Sequence, residues 1–400
     1  MKAERRHESL MTSGALSRAG TMNWDTRLIH DGQAPDPLTG AVNVPVYLTS
    51  TYAESSPGKA KGFVYSRTGN PTRAALEKVL GRLESGVGGL AFGSGLAATS
   101  ALFMAYPSGS RIVAGDDLYA GTWRLLQVAR THGVHVDFID TSDLANVRRA
   151  LAAVPKADLL FLETPTNPLL KVTDLRGAIA IARARRTRVA VDNTFASPVL
   201  QRPLELGADI VVHSTTKYLG GHSDLIGGAL VFRSRPLLEK YRWYQNTQGG
   251  VPGPLDCFLV LRGIHTMGLR VRAHCANARK VARFLARHPR IVRTLYPGLP
   301  DHPGYAVARR QMDDFGGMVS AEVRGGLPAA KRVVRRLRVF TLAESLGGVE
   351  SLVNVPALMT HRSVPRELRE RQGIRDGLLR FSVGIEDADD LIADLRQALA

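Results

Sequence analysis

The chain has 400 residues, of which 44% are hydrophobic and 22% charged, and its formal net charge is +17. This composition is typical of a globular protein with a sizeable core and excludes an intrinsically disordered chain. No run of about 18 apolar residues occurs, so no membrane span is expected. The basic residues are spread along the chain and form no aromatic-interleaved motif, so we do not expect nucleic-acid binding.

The N-terminal part of the chain reads as an extension followed by an arm. Residues 1–22 lack the apolar segment of a signal peptide, and we expect a disordered extension there. Residues 23–64 are rich in Pro, Gly and Thr, which predicts an extended arm with turns. The two cysteines of the chain, Cys257 and Cys275, are too few for a disulfide framework. A reducing compartment fits them, so we expect a cytoplasmic protein.

From residue 65 to residue 255, short apolar runs alternate with segments of helical periodicity. The runs include RIVAGDD (111–117), ADLLFLETP (157–165), TRVAVDN (187–193) and ADIVVHS (208–214). This alternation predicts an α/β domain with a mainly parallel sheet that is covered on both faces. Ligands of such sheets bind beyond the carboxyl ends of the strands, so the polar residues that end these runs are candidate site residues.

Residues 256–400 predict a smaller C-terminal domain of α+β structure. A long helical stretch (255–289) is followed by apolar runs in GGMVSAEV (316–323) and LLRFSVGIE (378–386) that predict strands. The basic segment KRVVRRLRVF (331–340) alternates charged and apolar residues at helical spacing. That spacing favours a solvated helix face over a nucleic-acid groove.

The segment FGSGLAA (92–98) fits a dinucleotide fingerprint, G-x-G-x-x-A, and the acidic pair Asp116 and Asp117 follows about 20 residues later. A nicotinamide dehydrogenase is therefore one hypothesis. Against it, the residues before this segment provide no initial βαβ half. A helix that begins at Gly95 would bind any phosphate through its first N–H groups and its dipole.

The segment ADIVVHSTTKYLGGHSD (208–224) places Lys217 just beyond the end of a predicted strand, after Ser214 and Thr216. A lysine can form an imine with the aldehyde of pyridoxal phosphate (PLP), and neighbouring hydroxyl groups can bind its phosphate. An ordinary loop lysine is the alternative. A purely basic binding protein would leave this strand-end lysine unexplained.

Two further residues favour the PLP hypothesis. Asp192 ends the preceding predicted strand, 25 residues before Lys217, and could provide the anion that the pyridine nitrogen of PLP requires. Adjacent parallel strands would bring both side chains to one edge of the sheet. Tyr119, in DDLYAGTWR (116–124), could provide an aromatic face for the ring.

Taken together, these motifs resemble those of the PLP-dependent enzymes of Cys/Met metabolism, and within them the cystathionine γ-lyases and γ-synthases. The resemblance runs from about Trp24 to the C-terminus. It implies a type I PLP-dependent aminotransferase-like fold with a PLP-binding domain over 65–255 and a C-terminal domain over 256–400. The matching segments are YSRTGNPTR (65–73), SGLAA (94–98), DDLYAGT (116–122), ETPTNP (163–168), VDNTFASP (191–198), HSTTKYLGGHSD (213–224), TLAESLGGVESL (341–352) and LLRFSVGIED (378–387).

The resemblance implies how PLP would be bound. Lys217 resembles the Schiff-base lysine, Asp192 the partner of the pyridine nitrogen, and Tyr119 the stacking tyrosine that also assists proton transfer. Asn167 matches a residue beside the ring hydroxyl. The positions around the phosphate are matched by Ser94, Gly95, Leu96, Ser214 and Thr216.

The resemblance also implies shared active sites in a homo-oligomer, with a tetramer built as a dimer of dimers. Tyr65 and Arg67 match residues that reach the cofactor phosphate of the neighbouring subunit. No metal, nucleic acid or membrane is expected to take part.

The expected substrate is an amino acid with a substituent on its γ-carbon. Ser345 and Arg380 match the positions that bind the α-carboxylate, and a guanidinium fork suits a carboxylate. Arg124 and Glu344 match positions near the distal end of the substrate.

The expected reaction begins when Lys217 removes the Cα proton and then a Cβ proton, after which the γ-substituent leaves. Cystathionine γ-lyase in transsulfuration, which yields cysteine, 2-oxobutanoate and ammonia, is the leading prediction. Cystathionine γ-synthase, methionine γ-lyase and homoserine sulfhydrylase remain open, because elimination and replacement share one intermediate. Val64 stands where cystathionine enzymes often carry an acidic residue and favours a less polar substrate, whereas Glu344 favours cystathionine.

Overall fold

The computed structural model describes residues 22–154 and 156–400, which contain two β-sheets. The extension predicted over residues 1–22 lies outside the described residues except for Met22. The larger sheet consists of seven strands: β1 (Gly88–Phe92), β2 (Arg111–Gly115), β3 (His135–Ile139), β4 (Leu159–Glu163), β5 (Arg188–Asp192), β6 (Ile210–His213) and β7 (Gly228–Phe232).

The larger sheet has the strand order β1-β7-β6-β5-β4-β2-β3. The strands from β6 to β3 in this order run parallel, and β7 is antiparallel to both of its neighbours. The predicted mainly parallel sheet is therefore confirmed. Because β2, β4, β5 and β6 point the same way, the loops that follow them meet at one edge of the sheet.

Helices pack on both faces of this sheet, as the apolar strand sequences predict. In β4, Leu160 and Leu162 belong to one hydrophobic cluster, whereas Leu159 and Phe161 belong to another on the opposite face. The helices in this part of the chain are α1 (Trp24–His30), α2 (Pro71–Leu83), α3 (Gly95–Met104), α4 (Ala120–Thr131), α5 (Leu144–Ala152), α6 (Leu175–Ala184), α7 (Ser197–Leu200), α8 (Arg235–Gln248) and α9 (Pro254–His265).

The start of α2 shows how the sequence fixes a helix boundary. The Asn70 side chain accepts hydrogen bonds from the backbone N–H groups of Thr72 (3.0 Å) and Arg73 (3.2 Å), and Pro71 occupies the first helical position. The sequence did not predict α1, which lies within the expected arm and buries Leu28.

A second sheet lies in the C-terminal part, with the strand order β10-β11-β12-β9-β8. The predicted helical stretch over 255–289 is divided between α9 and α10, which meet at Thr266. The remaining strands are β8 (Ile291–Leu295), β9 (Met318–Val323), β10 (Thr341–Leu342), β11 (Leu352–Asn354) and β12 (Leu378–Ser382). The remaining helices are α10 (Met267–Ala286), α11 (Tyr305–Gln311), α12 (Gly326–Arg336), α13 (Arg366–Gln372) and α14 (Ala388–Leu399).

The first six residues of the basic segment, 331–336, belong to an amphipathic helix, α12, and residues 337–340 lie beyond its end. Its Arg332 and Arg335 are exposed, whereas Val333 and Val334 are buried against the second sheet and its helices. The predicted solvated helix face is therefore confirmed. In the described ranges, no helix is both long enough and apolar enough to cross a membrane.

Candidate active site

A cavity of about 610 Å³ opens at the edge where the parallel strands end. β4 ends at Glu163 and β5 at Asp192, and these two residues are register partners. The loop after β6 contributes Ser214, Thr216 and Lys217 to the wall. Candidate residues that lie far apart in the sequence thus meet in one cavity, as the strand-end rule predicts.

One end of the cavity is formed by the start of α3. Ser94 caps this helix by accepting the N–H of Ala97 at 3.0 Å, and Gly95 and Leu96 line the cavity. A side chain at Gly95 would lie 2.9 Å from Cβ of Ser214, so only glycine permits this approach of the two loops. The first N–H groups of a helix have no partner within it, so this end suits an anion. The Thr216 hydroxyl, in contrast to these N–H groups, already has a partner, because it donates to the Gly227 carbonyl at 3.2 Å.

Lys217 projects into the cavity, where its Nζ donates a hydrogen bond to Oγ of Ser345 at 2.7 Å. Burial and, secondarily, the nearby Arg380 charge lower the pKa of Lys217 to about 8, against the opposing effect of Glu344. Near pH 8, a large share of the side chain is therefore the neutral amine, which is the form that can accept a proton or attack a carbonyl group.

Asp192 lies on the same face of the sheet as Glu163, beside it at the strand ends. Burial raises the pKa of Asp192, and hydrogen bonds from Thr194, including its N–H at 3.0 Å, oppose that rise. A carboxylate in this setting gains most from a cationic partner, since a buried charge needs pairing. The pyridinium group of PLP is such a partner.

Tyr119 and Asn167 line the same cavity as Lys217 and Asp192. The Tyr119 ring lies over Gly121, where an added side chain would come within 2.3 Å of the ring carbon Cε1. Glycine at 121 therefore leaves room for the ring to cover the start of α4. The Asn167 side chain accepts a hydrogen bond from Nη1 of Arg380 at 2.8 Å.

Arg380 is almost fully buried, and its hydrogen-bond partners are neutral. Nη2 donates to the Ser345 carbonyl at 2.9 Å. A guanidinium can only donate, so Asn354 turns its side-chain amide oxygen toward Nε, which lies 3.2 Å away. Burial lowers the pKa of Arg380 to about 10, and Glu344 opposes the shift. Ser345 has a φ of 88°, an uncommon conformation for a residue with a side chain, and its contacts with Lys217 and Arg380 hold it there.

Three of the predicted site residues do not line this cavity. Tyr65 directly follows the arm and has 45% of its surface exposed. The Arg67 guanidinium lies 5.5 Å from the Tyr65 ring centre and donates to the Asn246 carbonyl at 2.7 Å. Arg124 points to Oγ of Ser363 at 2.8 Å. The remaining predicted residues, including Glu344, line the cavity.

Two residues that touch this site were given no role from the sequence: Glu163, which was noted only as a strand-end residue, and Asn354. Glu163 accepts the backbone N–H groups of Tyr119 and Asn167, each at 2.9 Å. The position of Glu163 at the end of a predicted strand could have identified it as a site residue. The contact of Asn354 with Arg380 could not be foreseen, because it depends on the β11–β12 register, which the sequence does not reveal.

The residues of this cavity fit PLP. A helix start with the Ser214 hydroxyl suits its phosphate, the Lys217 amine its aldehyde, the Asp192 carboxylate its ring nitrogen and the Tyr119 ring its face. In the described part of the chain, no cluster of His, Cys, Asp and Glu side chains could hold a metal ion.

The sequence of this chain matches the family described as Cys/Met metabolism PLP-dependent enzyme over residues 25–400. It is 49% identical to a cystathionine beta-lyase of Coxiella burnetii, over 94% of this chain and 97% of that protein. It is 50% identical to a cystathionine gamma-lyase of Bacillus subtilis, over 94% of this chain and 99% of that protein. The fold is similar to that of a cystathionine gamma synthase from Xanthomonas oryzae pv. oryzae in complex with cystathionine, with a TM-score of 0.92, 43% identity and coverage of 94% and 98%. These matches confirm the predicted family, its fold and its cofactor, and leave the nicotinamide hypothesis without support.

Proposed function

Because this chain belongs to the family of Cys/Met metabolism PLP-dependent enzymes, we propose that it cleaves a carbon–sulfur bond of cystathionine as a cystathionine γ-lyase. The observation that carries the proposal is the placement of Lys217, Arg380 and Glu344 around one cavity. They provide a base, a carboxylate binder and an anion for a distal ammonium group.

Lys217 is proposed as the residue that moves protons at the substrate carbons. PLP, when bound, supplies a carbonyl group for the substrate amine and an electron-poor ring that stabilises negative charge at the neighbouring carbons. The low pKa of Lys217 provides the neutral amine that removes a proton, and Ser345 orients Nζ through their hydrogen bond. Tyr119, which lines the same cavity, is proposed to assist these transfers.

The other cavity residues are proposed to bind and orient. Arg380 presents a buried positive charge with neutral partners, so a substrate carboxylate can pair with it without displacing an anion. Asp192 supplies the negative charge opposite the ring nitrogen. Ser94, Gly95, Leu96, Ser214 and Thr216 are proposed to bind the phosphate, which requires the Thr216 hydroxyl to turn from Gly227.

The carboxylate of Glu344 in the cavity favours cystathionine over methionine. Cystathionine carries a second ammonium and carboxylate beyond its sulfur, whereas methionine ends in a methyl group. Glu344 lines the cavity with an exposed carboxylate, which suits that ammonium group. Val64, which favours a less polar substrate, does not line this cavity in the single chain, and neither does Arg124, which was predicted near the distal end of the substrate.

Related activities remain as alternatives. Cystathionine γ-synthase, methionine γ-lyase and homoserine sulfhydrylase use the same groups to move protons. The relatives add cystathionine β-lyase, which the sequence motifs did not suggest.

We also propose a cytoplasmic location, and the two buried, free cysteines of the chain support it.

Product analysis tests the proposed reaction. Incubated with cystathionine, the enzyme is expected to release cysteine, 2-oxobutanoate and ammonia. Homocysteine with pyruvate would instead show the β-lyase. Faster formation of cystathionine from O-succinylhomoserine and cysteine would show the γ-synthase. Homocysteine formed from an acylhomoserine and sulfide would show the sulfhydrylase, and methanethiol formed from methionine would show the methionine γ-lyase.

Glu344→Gln is expected to weaken the preference for cystathionine over methionine, because it removes the anion that the distal ammonium group would contact.

We also propose that two subunits share each active site within a tetramer. Tyr65 and Arg67 lie outside the cavity of their own chain. They directly follow the arm, which exposes 86% of Leu38, 85% of Val42 and 76% of Leu48. Apolar side chains exposed in this way are covered when an arm packs on a second copy. Such packing would bring Arg67 near the phosphate end of the other cavity.

Complementation tests the sharing of active sites. Homo-oligomers of Arg67→Ala and of Lys217→Ala are each expected to be nearly inactive. Co-expression of the two is expected to restore about a quarter of wild-type activity, because about half of random dimers are mixed and each has one intact site of two. A matched pair, Lys217→Ala with Asp192→Asn, should restore none, since both residues lie in the same cavity. Equal recovery in both pairs, or none in either, would contradict the shared site.

A further inference from the structure

Glu163 is a buried carboxylate at the cavity floor whose two oxygens serve two different loops. Oε2 accepts the backbone N–H of Tyr119 and Oε1 accepts that of Asn167, both at 2.9 Å. Tyr119 follows β2, and Asn167 lies in the loop after β4. One side chain therefore links the loops that follow two adjacent strands.

These two loops carry the residues that border the proposed ring site. Tyr119 presents the aromatic face, and Asn167 holds Nη1 of Arg380 at 2.8 Å. Arg380 in turn donates to the Ser345 carbonyl, and the Ser345 hydroxyl accepts from Lys217. A displacement of Asn167 would therefore pass along hydrogen bonds to both Arg380 and Lys217.

The surroundings of Glu163 make its ionisation costly. Burial raises its pKa well above the usual range, and the neighbouring carboxylate of Asp192 raises it further. The N–H groups of Tyr119 and Asn167 act in the opposite direction, because they bind the ionised form. If position 163 contributed only to the stability of the fold, a neutral or apolar side chain would serve better, because it avoids the desolvation of a buried charge.

We propose that Glu163 is a positioning residue that fixes Tyr119 and Asn167 relative to each other, and thereby sets the face and the edge of the ring site. The inference rests on the proposed function, because the face and edge matter only if PLP lies between these residues. Glu163 does not itself contact substrate or move a proton at the substrate carbons.

Glu163→Gln tests this inference with little change in size. Glutamine retains one carbonyl oxygen, and its NH₂ group faces the second N–H, so one of the two hydrogen bonds is lost. Hydrogen exchange of the Tyr119 or the Asn167 amide in the cofactor-free protein is expected to be at least about tenfold faster. The PLP concentration for half-saturation is expected to rise at least about tenfold, and the visible circular dichroism of bound PLP should fall.

Asp394→Asn is the matched control. Asp394 is also buried and accepts the backbone N–H groups of Arg338, Val339 and Phe340, but it lies on α14, outside the cavity. It should lower thermal stability without changing PLP affinity or the dichroism. If Glu163→Gln does not fold, Glu163→Asp retains the charge but is too short to reach both N–H groups, so the same changes are expected.

The outcomes separate this inference from the proposed function. If Glu163→Gln left amide exchange and PLP affinity unchanged, or if Asp394→Asn accelerated exchange of the same amides and weakened PLP binding to the same extent, the positioning role would be overturned. If the wild-type protein bound no PLP, the proposed function would fail, whereas amide exchange would still decide whether Glu163 holds the two loops together.

Discussion

An enzyme with alanine at position 217 is expected to turn over at least about a hundredfold more slowly than the wild type, because a positioned acid or base contributes roughly 10²–10⁴-fold. Among the described residues that line the cavity, Lys217 is the one lysine. No other amine there could take over the proton transfers. Its hydrogen bond to Ser345 and its lowered pKa are both lost with the side chain.

Borohydride reduction provides the matching measurement. In the wild type, reduction is expected to attach PLP covalently to the peptide that contains Lys217, as read by mass spectrometry, and in Lys217→Ala it should attach none. Lys156→Ala, at an exposed lysine, is the control and should behave as the wild type. Wild-type turnover by Lys217→Ala would refute the assigned role, and so would attachment of PLP at another lysine in the unmutated enzyme.

The larger sheet was predictable because each of its strands is a short apolar run in the sequence. LLFLE of β4 is buried along its whole length, as a strand covered on both faces must be. The polar residue that ends such a run then lies at the sheet edge, and Asp192 and Glu163 were located in this way. The short distance between the ends of parallel strands makes this step from sequence to site secure.

Contacts that depend on register or on loop paths were not predictable. The pairing of Asn354 with Arg380 requires β11 and β12 to align at those residues, and an alternating pattern leaves the alignment open. The two hydrogen bonds of Glu163 require a loop after β2 to pass above the end of β4. The break between α9 and α10 consists of the single residue Thr266, and no proline there indicates from the sequence that one helix ends and another begins.

The buried charge of Arg380 leads to the second large effect. Arg380→Lys keeps the charge but loses the planar fork that binds both oxygens of a carboxylate. Hydrogen bonds to charged groups contribute about 1.5–3 kcal/mol, and about 1.4 kcal/mol corresponds to a tenfold change in affinity. We therefore expect KM for the amino-acid substrate to rise about tenfold to a hundredfold. A larger effect is expected for Arg380→Ala, which also removes the hydrogen bonds to Asn167 and Ser345.

Carbonyl reagents separate carboxylate binding from general damage to the site. Aminooxyacetate carries a carboxylate and methoxyamine does not, and both react with bound PLP with a change in absorbance. Arg380→Lys should weaken the response to aminooxyacetate about tenfold or more and leave that to methoxyamine nearly unchanged. Arg369→Lys, at a buried arginine that pairs with Asp376 outside the cavity, should change neither. An equal loss for both reagents in Arg380→Lys would mean that Arg380 supports the structure of the site and does not bind the carboxylate.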